Sequence, residues 1–211
     1  MNQPKTNSRQ KAYYFLFSII LLSVVLETFV SSQRENSYFS NPIQKALNLY
    51  AFFTIWSNLV VAFTAYYIAQ GRKLKNTAVQ TLYIAGLGSI GIIAIIHRLF
   101  LYAPSTGIAP FSDALLHLII PLTAIAFHLV YIHEPTINKK TILLSTLLPN
   151  IWLSFTYMRG FLTGYYPYSF LDPAVKSTQD ILLSIFVMYS GMYVIIGILW
   201  LFRRKGTGEQ K

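Results

Sequence analysis

The chain has 211 residues, 54% of them hydrophobic and 11% charged, with a formal net charge of +10 and no cysteine. Once apolar spans are laid out, no length remains for a soluble catalytic module, and the missing cysteine excludes disulfides, thiolate catalysis and cysteine-ligated metals. Nucleic-acid binding is excluded as well, because the cations sit in short loops and tails beside apolar runs, where insertion topology and anionic lipid headgroups account for them.

Six apolar stretches follow one another, at residues 12–31, 46–70, 77–103, 112–132, 141–163 and 179–202. A membrane helix needs about 20 such residues, so the pattern predicts an all-α, polytopic bundle of six transmembrane helices forming one integral membrane domain over 1–211. The first stretch follows a basic tail, as a secretory signal does, and Val30 to Ser32 loosely resembles a cleavage site. A signal's apolar region runs roughly 7–15 residues, however, whereas this one continues from Ala12 to Val30 with Glu27 as its one interruption, so a retained first helix is expected.

The gaps between spans carry the orientation. Lys5, Arg9 and Lys11 precede span one, Arg72, Lys73 and Lys75 follow span two, Lys139 and Lys140 follow span four, and Arg203, Arg204, Lys205 and Lys211 follow span six. Those twelve cations fall on one side, against Arg34, Lys45 and Lys176 on the other. Cation-rich short loops stay in the cytoplasm, so both termini are predicted inside. The outward segments 32–45, 104–111 and 164–178 carry Pro42, Pro104, Pro110, Pro167 and Pro173 and are expected to be ordered lids. Pro121 and Pro149 interrupt the backbone ladders of spans four and five, and Gly86, Gly88 and Gly91 allow close helix approach in span three. No inverted pair of broken helices of the transporter kind is visible.

Ionisable groups inside hydrocarbon cost a few kcal/mol each, so each needs a partner, a wet cavity or a task. The candidates are Glu27, His97, Arg98, Asp113, His117, His128 and Arg159. Counting a rise of about 1.5 Å per residue from the outward ends puts Glu27 and Arg159 roughly 6 Å deep, His117 roughly 8 Å, His97 roughly 9 Å and Thr54 roughly 12 Å. They share one outer layer, and His128 stands apart toward the inside. Thr54 and Asn58 lie four apart on one helix face, as do Asp113 and His117, so the carboxylate can hold the imidazole in one tautomer. A hydroxyl facing that pair would complete a nucleophile, a base and an orienter, with the arginines free to hold an anionic group.

Each residue also has a plain structural role open to it. A membrane-helix threonine commonly bonds back to the carbonyl four residues earlier, here that of Tyr50. A histidine can simply join helices, Arg98 and Arg159 can snorkel to the interface, and Glu27 can pair with one of them. Tyr165, Tyr166, Tyr168 and Phe170 fit an aromatic belt. A metal site is not expected: His117 and His128 are separated by roughly 16 Å along their helix, and His133 with Glu134 lacks a second histidine at the spacing of a zinc-protease helix.

Four segments carry a family resemblance: Phe53-Thr54-Ile55-Trp56-Ser57-Asn58, Leu116-His117-Leu118-Ile119-Ile120-Pro121, Arg159-Gly160 and Tyr166-Pro167-Tyr168-Ser169-Phe170-Leu171-Asp172. In this order they resemble the bacterial six-span family called Pr-six-Pr, which is similar to the eukaryotic androgen-induced membrane proteins, threonine hydrolases of fatty-acid esters of hydroxy fatty acids. The resemblance implies a bacterial plasma-membrane protein in which Thr54 matches the nucleophile and His117 the essential histidine. Tyr168 departs from the eukaryotic pattern, which has phenylalanine after the proline.

The expectation is therefore an intramembrane threonine hydrolase of acyl esters reached from the outer leaflet. Thr54, His117 and Asp113 would be catalytic, no cofactor or metal would be needed, and the substrate would come from the membrane lipids. Asn58 and His97 are candidates for stabilising the oxyanion, Arg98 and Arg159 for binding a carboxylate, and Tyr166 for lining the substrate site. The alternative is a non-catalytic lipid-binding scaffold or small carrier whose polar layer only knits the bundle. The two differ in one distance: a catalytic pair needs the Thr54 hydroxyl about 3 Å from a His117 nitrogen.

Overall fold

The computed structural model describes residues 7–35, 38–102, 106–133 and 137–207. Lys5, Ala103, Pro104, Glu134 and Lys211 lie outside them. The described residues form helices and contain no strand. Asparagines open several of the helices. Asn7 and Gln10 form a reciprocal capping box at α1 (Ser8–Gln33), Asn41 precedes Pro42 at α2 (Pro42–Asn48), and Asn76 accepts from two amides at the start of α4 (Thr77–Ile96). Asn138 and Thr141 repeat the capping box at α7 (Lys139–Leu144). The chain leaves α8 (Leu147–Thr163) through Gly164, whose φ of +71° only glycine adopts without strain.

Five helical segments are long and apolar enough to cross a membrane, at Ser8–Gln33, Thr77–Leu101, Ala109–Tyr131, Lys139–Thr163 and Thr178–Phe202. A sixth is a bent pair. The single helix expected over 46–70 is instead broken at Phe52, where extended backbone turns the Pro42–Ala51 segment by 69° against α3 (Phe53–Ala69). α3 alone has 17 residues, about 25 Å of rise, short of the roughly 30 Å of a hydrocarbon core, and the bent pair together has the length to span it.

Polarity is distributed as lipid requires. Leu22, Val25, Phe29, Phe161, Leu162, Leu182, Leu183 and Phe186 are exposed, whereas Ser57, Asn58, Thr64, Ser89, Ser112, His128, Thr141 and Ser145 are fully enclosed. Several of the buried hydroxyls donate to carbonyls of their own helix, as Thr64 does to Val60 and Val61, whereas those of Thr81 and Thr156 have no hydrogen-bond partner among the described residues.

α1 packs along α3, α3 along α4, and α4 along α9 (Thr178–Thr207). The main core joins Leu16, Ile20 and Val24 of α1 to Ile55, Val61 and Ile68 of α3 and to Ile84, Leu87 and Ile90 of α4. The span-three glycines act as the spacing predicts: a Cβ at Gly86 would meet Val61, at Gly88 Met192 and Ile196, and at Gly91 Ile195, each at 2.9 Å. A second cluster around Phe53 and Trp152 seats the 164–177 segment through Leu171. In the inner half, His128 closes a buried chain in which its Nδ1 lies 3.2 Å from the Tyr83 hydroxyl and Tyr83 lies 3.0 Å from Tyr13. His128 is part of the packing there and is remote from the outer layer.

Candidate functional site

The two outer-layer histidines sit in widened turns. α4 ends in a π-helical turn, His97–Leu101, and α5 (Ala109–Ala114) passes into α6 (Ile120–Tyr131) through another, Leu115–Ile119. Such turns are uncommon and concentrate at functional sites, because the extra residue per turn re-aims side chains. Pro121 supplies a cause in the second case: it has no amide to give to the carbonyl of His117, so the regular ladder cannot continue through it.

The turns bring three elements to one point. The Thr54 Oγ1 lies 3.2 Å from His117 Nε2. His117 Nδ1 lies 3.1 Å from the Asp113 carboxylate and 3.1 Å from the Asp113 carbonyl. Both of those partners can only accept, so Nδ1 carries the proton, Nε2 carries the lone pair, and the Thr54 hydroxyl donates to it. His97 Nε2 approaches the same Asp113 oxygen at 3.0 Å, and its ring stacks on His117 with centroids 3.7 Å apart and planes 12° apart. One carboxylate therefore accepts from two parallel imidazoles. His97, on another helix, fixes Asp113 from the side that the Asp113–His117 spacing cannot reach.

Thr54 owes its freedom to the break at Phe52. The carbonyl of Tyr50, the acceptor expected for its hydroxyl, is taken by Trp56 Nε1 at 2.9 Å, and the bent backbone no longer presents it to Thr54. The break also makes Thr54 a first-turn residue of α3, where amides have no intrahelical acceptor and no side chain caps them. Tyr168 packs edge-on against Phe52 beside this helix start and lines the same cavity as Thr54. Further along α3, Asn58 Nδ2 and Ser57 Oγ donate to the Thr54 carbonyl at 2.8 and 3.0 Å.

Thr54, His97, Asp113 and His117 line a cavity of about 690 Å³, together with Glu27, Arg34, Lys45, Asn48, Phe53, Leu116 and the loop residues Tyr165, Pro167 and Tyr168. The volume lies within the range of small-molecule pockets. The wall mixes apolar side chains with this polar cluster and with the charged groups of Glu27, Arg34 and Lys45.

Several expected residues lie elsewhere. Asn58 is fully buried behind Thr54 and supports its backbone without reaching the cavity. Arg98 is turned outward with its guanidinium over the Tyr102 ring, since neighbours in sequence do not share a helix face and His97 takes the cavity side. Tyr166 packs on Gly160 and edge-on to Tyr157, away from the cavity. Arg159 stands one layer back, donating from Nη2 to Asn48 Oδ1 at 2.8 Å and lying over the Tyr165 ring, and both of those residues do line the cavity. Its Nη1 is buried and has no hydrogen-bond partner among the described residues. Glu27 pairs with neither Arg98 nor Arg159. It binds Arg34 at 2.9 Å and accepts from Ser112 at 2.5 Å, a bond that ties α1 to α5.

Sequence reasoning missed Tyr168 as a neighbour of Thr54, Asn48 as the partner of Arg159, and the sharing of Asp113 by two histidines. Only His97 carried a usable signal, its depth in the outer layer. His97, Asp113 and His117 also have their ligand atoms within 4.8 Å of one another, the number and type of donors that suit a divalent cation. Sequence reasoning weighed only His117 with His128 and His133 with Glu134 for a metal; here both histidine nitrogens lie within hydrogen-bond distance of one Asp113 oxygen.

The chain matches no protein-family model, no curated protein and no solved structure.

Proposed function

We propose that this protein is an intramembrane threonine hydrolase that cleaves acyl esters of membrane lipids entering from the outer leaflet, with both termini in the cytoplasm of a bacterium. The observation that carries the proposal is the relay from the Thr54 hydroxyl through His117 to Asp113 on the wall of a cavity able to hold an acyl chain. The resemblance of four segments to the Pr-six-Pr and androgen-induced proteins supports the same roles for Thr54 and His117.

In the first step Thr54 Oγ attacks the ester carbonyl carbon and its proton passes to His117 Nε2, while the carbonyl π electrons move onto oxygen. Collapse of that intermediate expels the alcohol oxygen, which takes the proton back from His117, and leaves an acyl group on Thr54. Water then attacks the acyl carbon with its proton going to His117, and the second collapse returns that proton to Thr54. The sum is ester plus water giving acid plus alcohol. Asp113 holds the tautomer and stabilises the imidazolium that forms twice in the cycle. An anionic group on the substrate would meet Lys45 and Asn48 on the cavity wall, with Arg159 adding its charge through Asn48.

The test is hydrolysis of a panel of fatty-acid esters by purified protein, together with labelling by a fluorophosphonate probe. Thr54→Ala and His117→Ala should each abolish turnover and labelling. Labelling that survives both changes would remove the hydrolase and leave the scaffold or carrier reading, in which Thr54→Ala costs only the roughly 0.6 kcal/mol of an average membrane hydrogen bond.

A further inference from the structure

The carboxylate of Asp113 needs more support than its own segment gives it. Asp113 and His117 lie four residues apart, and His117 Nδ1 stands 3.1 Å from the Asp113 carbonyl as well as 3.1 Å from the carboxylate. The backbone carbonyl therefore competes with the side chain for one proton, and a carboxylate held by a single shared donor is free to turn about its side-chain torsions.

His97 supplies the second hold, from the end of α4. Its Nε2 lies 3.0 Å from the same Asp113 oxygen that His117 approaches. An ionised carboxylate can only accept, so this nitrogen carries a proton and His97 donates. Hydrogen bonds to an ionised acceptor are roughly twice as strong as neutral ones. The His97 ring is fixed in turn: it stacks on His117 with centroids 3.7 Å apart, and Tyr102 meets it edge-on at 6.2 Å. Both π turns take part, since His97 opens the one at the end of α4 and His117 lies within the other. With its Nε2–H directed at Asp113, His97 has no proton on that nitrogen left for a substrate oxyanion.

We infer that His97 is a positioning residue: its Nε2–H fixes the Asp113 carboxylate against His117, which keeps the His117 proton on Nδ1 and turns the lone pair of Nε2 toward Thr54. The base of the site is then set by three side chains from two parts of the chain, and the pair on one helix face does not suffice. A metal ion on His117 Nδ1 would demand the opposite tautomer, with the proton on Nε2 facing Thr54. The effect of His97 on turnover rests on the hydrolase reading, whereas its effect on the tautomer does not.

Two substitutions separate the donor from the ring. His97→Phe keeps an aromatic face over His117 and removes the N–H, while His97→Gln places an amide N–H near the position of Nε2 and removes the ring. The chain has only 4 histidines, so side-chain nitrogen–proton NMR correlations of isotopically labelled histidine, recorded on the full chain in detergent, are assigned by single substitutions. His117 should be the Nδ1–H tautomer in the wild type and in His97→Gln, and a mixture with the Nε2–H form in His97→Phe. On an ester turned over by the wild type, kcat should fall by about 10²-fold in His97→Phe and by less than about 5-fold in His97→Gln, with KM within about 3-fold in both. His97→Leu is read as His97→Phe is, should the phenyl ring disturb packing. A wild-type His117 protonated on Nε2, stoichiometric zinc in the purified protein that is lost in His97→Phe, or an equal loss of turnover in the Gln and Phe variants would each overturn the inference. If the tautomers behave as expected but no ester is hydrolysed, the positioning role stands and the hydrolase falls. If Thr54→Ala abolishes turnover but His117 keeps its tautomer in His97→Phe, the hydrolase stands and the His97 role falls.

Discussion

Asp113 shows at the scale of single residues how much of this site depends on proton placement. It accepts from His117 Nδ1 and from His97 Nε2, and both bonds require an ionised, acceptor-only carboxylate. Asp113→Asn keeps the shape and puts an N–H₂ group where one of the imidazoles needs an acceptor. His117 can then turn to the tautomer that places a proton on Nε2, and Thr54 loses its base. Turnover should fall by up to about 10⁴-fold with little change in KM, measured on the same ester panel. His97 was legible as one of several polar residues at similar depth, but its tie to Asp113 crosses from one span to another, and no spacing within either helix carries that information. Arg98 and Tyr166 lie off the cavity wall for the same reason: depth along a helix is readable from sequence, whereas the direction each side chain faces is set by its packing partners.

The elements that decide the site are the broken ones. A continuous helix over 46–70 would leave Thr54 in mid-helix, its hydroxyl bonded to the Tyr50 carbonyl and its amide consumed by the ladder. The turn of 69° at Phe52 instead places Thr54 in the first turn of a helix, its hydroxyl free to reach His117. The loop after α8 then docks on that start, and Gly160 is where the helix admits it. A Cβ there would lie 2.2 Å from the Tyr166 ring, in a place the ring already fills. Gly160→Ala should therefore lift the 164–177 segment, with a loss of about 1–3 kcal/mol in thermal unfolding followed in detergent. Since the same segment lines the cavity through Tyr165, Pro167 and Tyr168, the ester hydrolysis proposed for it should fall alongside. The Arg159-Gly160 pair was visible as part of a motif, yet the use of its glycine was not, because the partner ring comes from across a turn whose geometry only the folded chain defines.

For the whole molecule, an exposed apolar surface and an enclosed polar interior describe a protein solvated by lipid, and the cation-rich gaps predict cytoplasmic termini for it. With no cysteine in the chain, a single introduced one reports its side without background. Lys73→Cys, between α3 and α4, should be protected from a membrane-impermeant thiol reagent in intact cells and labelled after permeabilisation. Labelling in intact cells would reverse the orientation and move the site to the cytoplasmic leaflet. Composition and the lengths of apolar runs determined that the chain is a helical membrane protein, since hydrocarbon accepts little besides helices, and helical rise determined which polar groups share a layer. Tertiary structure alone decided which of them meet. Contact between helices depends on axial rotation, on breaks such as the one at Phe52 and on the docking of a loop, and each of these is set by packing partners far away along the chain.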